Sequence, residues 1–151
     1  MILRENMFEY RGPRTFLGVF YLALSMWTLI SAALLIPRAV SGSWPIGQVV
    51  IAGFVVFYTW YFSLGISYIL RVEKDGSVEM QSLRRSMRIQ ADEIDQIEGP
   101  RFAVLPFGFL RIRHTGGKIY LFCRFGSLEL ADAIKQLRRA NKKINVKFLP
   151  S

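Results

Sequence analysis

The chain has few of the residues that build catalytic or metal sites. Its 151 residues include a single cysteine, Cys123, and a single histidine, His114. One cysteine cannot form an internal disulfide, and with one histidine it cannot complete a Cys/His zinc site or a multi-histidine iron site. We therefore expect no metal and no other cofactor, and we predict that the protein is not an enzyme.

Hydrophobic and basic residues are kept apart along this short chain. Hydrophobic residues make up 52% of the sequence, while 20 Lys and Arg against 11 Asp and Glu give a formal net charge of +9. The length leaves room for about one domain. Separate apolar and basic regions indicate a membrane segment followed by a small basic domain.

Two long stretches contain no charged residue. Residues 15–36 would form a helix about 33 Å long and residues 45–70 one about 39 Å long, against a hydrocarbon core about 30 Å thick. We predict transmembrane helices over both ranges, with Pro37 ending the first, Pro45 in the first turn of the second and residues 37–44 as the loop. The surplus length of the second helix must tilt, protrude or join a strand, and we favour protrusion. A signal peptide is the alternative for the first stretch, but its apolar run is too long.

The distribution of Lys and Arg predicts the orientation of the hairpin. The first 14 residues carry three, the loop carries one, and the sequence after Leu70 carries sixteen. Because Lys and Arg concentrate on the cytoplasmic side, we expect both termini in the cytoplasm. This gives a cytoplasmic N-terminal segment at residues 1–14, an extracytoplasmic loop, and a cytoplasmic domain at residues 71–151.

Each predicted helix carries a stripe of small side chains, which lets helices approach closely. We favour the interpretation that the two stripes face each other within the hairpin; the alternative is that one of them receives a helix of another protein. Neither stretch contains Asp, Glu, Lys, Arg or His, so we expect no ion or proton pathway within the hairpin. The stripes consist of Gly18, Ser25 and Ala32 in the first helix and of Thr59, Ser63 and Ser67 in the second.

The sequence after the second stretch alternates between apolar and polar residues, which is typical of strands. Asp75-Gly76 favours a two-residue hairpin turn, and Thr115-Gly116-Gly117 predicts a second hairpin. Between them we expect a strand over residues 87–91, then the acidic residues 92–98 as a bent edge strand, a short strand at residues 102–104 and a turn at residues 106–108. Ser127 is expected to cap a final helix whose apolar stripe contains Leu130, Ile134 and Leu137. The domain is thus predicted to hold six or seven antiparallel strands and one closing helix.

The order of these elements resembles that of the bacterial pleckstrin-homology-like (bPH) small membrane proteins over about residues 15–145. The resemblance lies in two spans that lead into strands, the Ile94-Asp95-Gln96-Ile97-Glu98 segment, the Arg-Ile-Arg-His-Thr-Gly-Gly-Lys hairpin at residues 111–118 and the closing helix. It implies a PH-like antiparallel β-barrel or sandwich closed by a C-terminal helix, in a bacterial cytoplasmic (inner) membrane. It also implies a non-enzymatic module, since several members are tied to the assembly of membrane complexes.

Two groups of residues are candidate contact surfaces. Basic residues attract anionic headgroups or an acidic partner. The basic group consists of Arg71, Lys74, Arg84, Arg85, Arg88, Lys135, Arg138, Arg139, Lys142 and Lys143. An apolar segment rich in phenylalanine is either part of the core or a docking loop for a partner or the membrane interface. It contains Phe102, Leu105, Pro106, Phe107 and Phe109.

The other chemistry-bearing residues are better explained by structural roles. His114 lies beside a Gly-Gly turn and is expected at a strand end, and Cys123 is expected to face the core. The carboxylates lack the spacing of a calcium loop, and Gly116-Gly117-Lys118 lacks the upstream glycine of a phosphate loop. Those carboxylates are Asp92, Glu93, Asp95 and Glu98.

The leading hypothesis is therefore an accessory or assembly subunit, whose hairpin packs on a larger integral membrane protein and whose basic domain docks on that protein's cytoplasmic face. The alternative is a membrane-tethered module that binds anionic lipid headgroups, alone or as a homo-oligomer. No aromatic-interleaved reader motif accompanies the basic residues, so we expect no nucleic acid partner.

Overall fold

A computed structural model describes residues 7–102 and 104–149. The chain divides into two compact units, of which one is the helical unit Thr15–Leu64. The other unit, the sheet domain, combines the residues before Thr15 with those from Gly65 onward.

The helical unit contains α1, Arg14–Val40, and α2, Ile46–Ser63. Both helices are long and apolar enough to cross a membrane. Almost no residue in the most apolar part of either helix is buried within the protein. The prediction that Pro37 ends the first helix is wrong, because α1 continues through it to Val40. Proline removes a single hydrogen bond here, close to the end of the helix, and Ser41 still donates to the Pro37 carbonyl.

The second helix is shorter than predicted. It ends at Ser63, and residues 67–70 belong to strand β2 rather than to a protruding helix. Ser67, Ile69 and Leu70 are all buried in the sheet domain. A strand that is buried on both faces is as apolar as a membrane helix, so the run of uncharged residues spans both elements.

The sheet domain contains eight strands and helix α3. The strands are β1 Met7–Arg11, β2 Ser67–Glu73, β3 Ser77–Ser82, β4 Ser86–Gln90, β5 Ile94–Glu98, β6 Phe107–His114, β7 Gly117–Arg124 and β8 Asn145–Lys147. Helix α3 covers Leu128–Ala140, between β7 and β8. A short 3-10 turn at Ala91–Glu93 joins β4 to β5.

The strands form one open, mixed sheet in the order β4-β3-β2-β7-β6-β5-β8, with β1 beside β2. Most neighbours are antiparallel, but β7 meets β2 in parallel at Leu121 and Ser67, and β8 runs parallel to β5. The described sheet is not closed into a barrel, in contrast to the predicted all-antiparallel barrel or sandwich. Both β1 and β8 were absent from the sequence-based prediction.

Both predicted hairpins are confirmed, with different turns. The first turn has three residues, 74–76, in which Gly76 takes a left-handed φ of +85° and donates to the Glu73 carbonyl at 3.1 Å. The second turn is Thr115-Gly116, with His114 paired to Gly117. The predicted turn at residues 106–108 is wrong, because Phe107 and Gly108 begin β6.

The middle of the domain also differs from the prediction. The predicted strand at residues 102–104 is not formed at Phe102 or Val104, and Ala103 lies outside the described residues. The acidic strand β5 is not an edge strand, because β8 covers it. A register shift between Ile94 and Gln96 lets both Ile94 and Ile97 face the core.

The core of the sheet domain lies between the sheet and α3. Ser127 caps the helix as predicted, since its hydroxyl accepts from the Leu130 amide at 3.3 Å. Leu130 and Leu137 are buried and Ile134 is partly buried against the core, to which Ala133 also belongs. The helix thus fixes one face against the sheet and leaves the other in solvent.

The two ends of the sheet domain are distinct. The end where β1 finishes, at Arg11, and β2 begins, at Ser67, is called the junction end, because the chain passes there to the helical unit. Strand β2 reaches Glu73 at the opposite, distal end, which is roughly 20 Å away at about 3.3 Å per residue.

Candidate interaction surfaces

The outer face of strands β1 to β4 carries a row of alternating charges. Glu9, Arg71, Glu79 and Arg88 lie directly opposite one another on four neighbouring strands. The Arg71 guanidinium donates to Glu9 at 2.7 Å and to Glu79 at 3.3 Å. Arg88 donates to the Glu73 carboxylate at 2.8 Å. Each cation of this row therefore lies beside at least one carboxylate.

These ion pairs change the protonation equilibria of their members. Hydrogen bonds from Arg71, and then from Arg11, lower the pKa of Glu9. The hydrogen bond to Glu9 in turn raises the pKa of Arg71. Two of the cations proposed to meet lipid, Arg71 and Arg88, thus belong to a charge-balanced face, which has little net attraction for an anionic headgroup.

Three other cations of the predicted basic group, Arg84, Arg85 and Lys74, lie at opposite ends of the sheet. Arg84 and Arg85 are exposed in the turn between β3 and β4, at the junction end. Lys74 lies in the β2–β3 turn at the distal end, where it and Arg139 line one cavity of about 440 Å³. The sequence could group these residues by charge but not by position.

The α3 basic surface consists of Lys135, Arg138, Arg139, Lys142 and Lys143. All five side chains are exposed, and none is ion-paired within the described part of the chain. Lys142 and Lys143 follow the helix rather than belonging to it, since α3 ends at Ala140. Residues 133–147 contain six Lys or Arg and no Asp or Glu. This stretch is thus strongly basic, and the exposed carboxylate nearest to it in sequence is Asp132, one helical turn before Lys135.

The α3 basic surface also contains an apolar floor. Lys135, Arg138, Arg139 and Lys142 line a shallow groove of about 590 Å³ together with Ile134 and Ala131. Sequence analysis assigned Ile134 to the core stripe, and the structure leaves it half-buried at the edge of that stripe. A groove with a cationic rim and a small apolar floor suits an acidic polypeptide with an apolar side chain.

The phenylalanine-rich segment divides into two parts. Phe102 and Leu105 are 87% and 66% exposed, so the interpretation that they form part of the core is wrong. Phe107 and Phe109 instead belong to β6 and are half-buried, with the Phe109 ring 5.1 Å from that of Phe122. Pro106 is exposed, but its carbonyl accepts from the Phe125 amide at 2.7 Å.

The structure places the residues of the two predicted small-residue stripes in different surroundings. A Cβ atom added at Gly18 would meet no atom within 4 Å, so that residue makes no close helix contact. The hydroxyls of Ser25 and Thr59 donate to carbonyls of their own helices. Ser63 is buried, whereas Ser67 lies in β2 and is not part of a helix.

Polar and aromatic side chains make contacts between the two helices. Trp60 Nε1 donates to Thr28 Oγ1 at 2.7 Å, and the Tyr21 hydroxyl donates to the Ser63 carbonyl at 2.8 Å. The rings of Tyr21 and Trp60 are stacked with centroids 6.5 Å apart. These contacts lie in the half of the hairpin away from its loop.

Toward the loop, the helices leave an apolar groove of about 520 Å³ between them. Ala32, Ala39 and Gly53 are among its lining residues, with Phe57 and Trp60. A Cβ atom added at Gly53 would meet nothing within 4 Å. Of the predicted stripes, only Ala32 lies in this groove, and Gly53 is a contributor that the sequence periodicity did not reveal.

The lone histidine and cysteine have structural surroundings. His114 lies at the end of β6, and its Nδ1 accepts from the Gly116 amide at 3.1 Å. Cys123 is fully buried among the core residues, and this burial raises the pKa of its thiol to about 12. Both residues therefore occupy the positions expected from the sequence.

The carboxylates of β5 are spread rather than gathered. Glu98 is ion-paired with Arg111, and Glu93 accepts from the Gln90 amide at 3.1 Å. Over residues 7–102 and 104–149, no three His, Cys, Asp or Glu side chains form a cluster suited to a metal ion. Comparison with known proteins adds no relative, because no family model, no curated protein and no solved structure matches the chain.

Proposed function

We propose that this protein is a non-enzymatic accessory or assembly subunit of a larger integral membrane protein. Its helical hairpin packs on the membrane part of the partner, and its basic domain docks on the partner's cytoplasmic face. The observation that carries this proposal is the α3 basic surface, where four of five exposed cations line a groove and none of the five is ion-paired in the described structure.

The position of this surface favours a protein over a lipid. Arg139 and Lys74 line the same cavity, so the C-terminal half of α3 lies at the distal end of the sheet domain. That end is roughly 20 Å along β2 from the junction. Electrostatic attraction in physiological salt decays over about 8 Å, so an acidic protein surface is a better partner for these cations than headgroups near the junction.

The hairpin supplies the second support. The groove between α1 and α2 is apolar and lined partly by Ala32, Ala39 and Gly53. Small residues allow a third helix to approach two others closely, and van der Waals packing is a main source of helix association in lipid. A transmembrane helix of the partner is the occupant proposed for this groove.

The proposed location and family follow from the same features. The hairpin is proposed to cross a bacterial cytoplasmic membrane with both termini inside, on the basis of its two long apolar helices and the distribution of Lys and Arg. The sheet domain is proposed to be a divergent PH-like domain. A mostly antiparallel sheet with a helix packed over its core supports that proposal, whereas the open sheet, its parallel pairings and the additional strand β8 depart from it.

A second candidate function is the binding of anionic lipid headgroups, alone or as a homo-oligomer. Arg84 and Arg85 support it, because they are exposed at the junction end. Arg71 and Arg88 give it little support, because both lie in ion pairs.

The charge of α3 provides the test of the leading proposal. A tagged full-length chain is expressed in the source cells, extracted gently with its surrounding lipid, and any partner is quantified relative to the chain. The double substitution R138E/K142E is expected to remove most of the partner, and the wild-type complex is expected to weaken as salt rises.

The matched control is R113E/K118E, which makes the same change of charge at exposed positions on β6 and β7. Partner yield should be unchanged in this variant. Equal yields in both variants, or a wild-type chain that carries no stoichiometric partner, would contradict the accessory role.

A further inference from the structure

Large apolar side chains are exposed at one end of the sheet domain and not at the other. In the described part of this domain, six large hydrophobic residues have more than a third of their surface exposed. All six lie in loops or at the ends of helices or strands. They are Leu83, Phe102, Val104, Leu105, Leu128 and Phe148.

Strand pairing places the first of these at the junction end. Ser82 lies opposite Ser67, so the turn that contains Leu83 emerges where β2 begins. Leu83 is 55% exposed and is followed directly by Arg84 and Arg85.

Four of the other residues reach the same end through β6 and β7, and Phe148 lies near the loop that carries three of them, because its carbonyl lies against Gly99. The Gly12 amide donates to the Tyr68 carbonyl at 2.7 Å, and a Cβ atom added at Gly12 would lie 2.9 Å from the Phe122 carbonyl. The second half of β7 therefore lies beside the junction. Phe107 pairs with Arg124, so the loop before β6 also lies there. This loop exposes Phe102, Val104 and Leu105, and α3 begins nearby with Leu128, which is 83% exposed.

The distal end has different chemistry. Its turns are Lys74-Asp75-Gly76, Thr115-Gly116 and residues 141–143 after α3, and none of these exposes a large apolar side chain. Thr115 lies there because its amide donates to the Glu93 carbonyl, while Ala91, in the same 3-10 turn, donates to the Gly76 carbonyl. Scattered exposed hydrophobic residues are normal on a soluble surface, but their restriction to one end is not.

Cations accompany the apolar side chains at the junction end. Arg124 lies over the Phe107 ring at 5.8 Å and Arg101 lies over the Phe148 ring at 5.4 Å. Arg84 and Arg85 directly follow Leu83, and the acidic residue in the first turn of α3 is Glu129. Apolar and aromatic side chains beside Arg are typical of segments that enter the headgroup layer of a membrane, with the apolar part in the acyl boundary and the charge at the phosphates.

We propose that the junction end of the sheet domain docks on the membrane, with the loops at Leu83 and at residues 102–105 inserted into the interfacial layer of the bilayer. The chain enters this end directly from two helices that are apolar enough to cross the membrane, which keeps these loops close to a bilayer surface. The inference rests on the hairpin crossing the membrane and not on the accessory role. It assigns the distal α3 basic surface to the aqueous side.

Site-directed spin labelling of the full chain in lipid nanodiscs tests this docking. The nanodiscs contain phosphatidylcholine and phosphatidylglycerol, and single cysteines replace Leu83 or Phe102 for attachment of the label. Cys123 is retained, because it is buried and will not label in the folded chain. The depth of each label is read from its collision rates with oxygen, which concentrates in lipid, and with a water-soluble nickel complex.

Three reference positions make the reading unambiguous. Labels at Asp75→Cys and Thr115→Cys report the distal turns, and a label at Leu29→Cys, an exposed position on α1, reports the hairpin. We expect the oxygen-to-nickel ratios at positions 83 and 102 to lie well above those at positions 75 and 115, and below the ratio at position 29.

Two results would overturn the proposal. Ratios at positions 83 and 102 that match the distal turns would show that the loops are in water, while a lipid-like label at position 29 would still place the hairpin in the bilayer. Low collision rates with both reagents would show that protein, rather than lipid, covers the loops. If Leu83→Cys or Phe102→Cys does not fold, Cys123 will react with thiol reagents. A label at Val104→Cys then replaces that variant.

Discussion

Ser82 lies directly opposite Ser67 across strands β3 and β2. This pairing brings the Leu83 turn to the end of the sheet where the chain arrives from α2, and it sends the Lys74 turn to the other end. The domain therefore has an apolar, arginine-flanked junction end and a polar distal end that adjoins the α3 basic surface. One chain can in this way direct one end to lipid and the other to a protein.

The charged row on the sheet is predicted to contribute to stability rather than to binding. Replacing Arg71 by Ala leaves Glu9 and Glu79 without their shared partner. Cross-strand ion pairs of this exposure contribute up to about 1 kcal/mol each, so we expect a loss of about 1 kcal/mol in the free energy of unfolding. Urea unfolding of the chain in detergent measures it. The matched control Arg113→Ala removes an exposed cation outside this row and should change stability by less.

The same row predicts a dependence on acid. Hydrogen bonds from Arg71 and Arg11 lower the pKa of Glu9 below its ordinary value of 4.5 in the folded chain. The unfolded chain therefore binds this proton first, so the stabilisation is complete above pH 4.5 and is lost as the pH falls through the lowered pKa. Unfolding free energies measured between pH 6 and pH 3 should fall less steeply for Glu9→Gln than for the wild type. Parallel curves for the two chains would show that Glu9 does not supply this dependence.

Cys123 is predicted to be unreactive until the sheet domain opens. Burial raises the pKa of its thiol to about 12, so almost no thiolate exists at pH 8. A thiol reagent should label the wild-type chain slowly without denaturant and fully in denaturant, while the added cysteine in Asp75→Cys, at an exposed turn, should label at once. Stability should also decrease as the pH rises above 9, because only the unfolded chain then loses the thiol proton. Rapid labelling of the folded wild type would contradict the burial of Cys123.

The groove between the two helices is predicted to hold a partner helix. The variant Gly53→Leu places a large side chain into the groove, where a Cβ atom meets no other atom, so the chain should insert normally and lose its partner. Gly47→Leu is the matched control, since Gly47 has equally open surroundings on α2 but does not line the groove. Partner yield after gentle extraction compares the two variants. Equal yields would show that the groove is not the contact.

Local patterns predicted both hairpins, the cap of α3 and the burial of Cys123, because each depends on residues close in sequence. The strand β1 was missed because its two inward residues, Phe8 and Tyr10, become a strand only beside β2, about 60 residues away. The strand β8 has three residues, which is too short for a periodic signal. The end of α2 was misplaced because buried strand residues are as apolar as helix residues.

The candidate surfaces were predictable by composition but not by position. Alternation placed Arg71 on the outer face of its strand, yet the register that sets it between Glu9 and Glu79 depends on strand order. The same order separates Arg84 and Arg85 from Lys74 by the length of a strand. The exposure of Leu83 and Leu128 has no sequence signal, since leucine is among the residues most often buried and nothing local marks these two as exceptions.

The most direct test of the accessory role is native mass spectrometry of the wild-type chain, extracted from its own membranes with a patch of surrounding lipid. We predict a complex in which this chain is bound to a larger membrane protein at a defined stoichiometry, and in which the R138E/K142E chain appears without that protein. A wild-type chain that is found alone or as a homo-oligomer with anionic lipid bound would contradict the accessory role and favour the lipid-binding function.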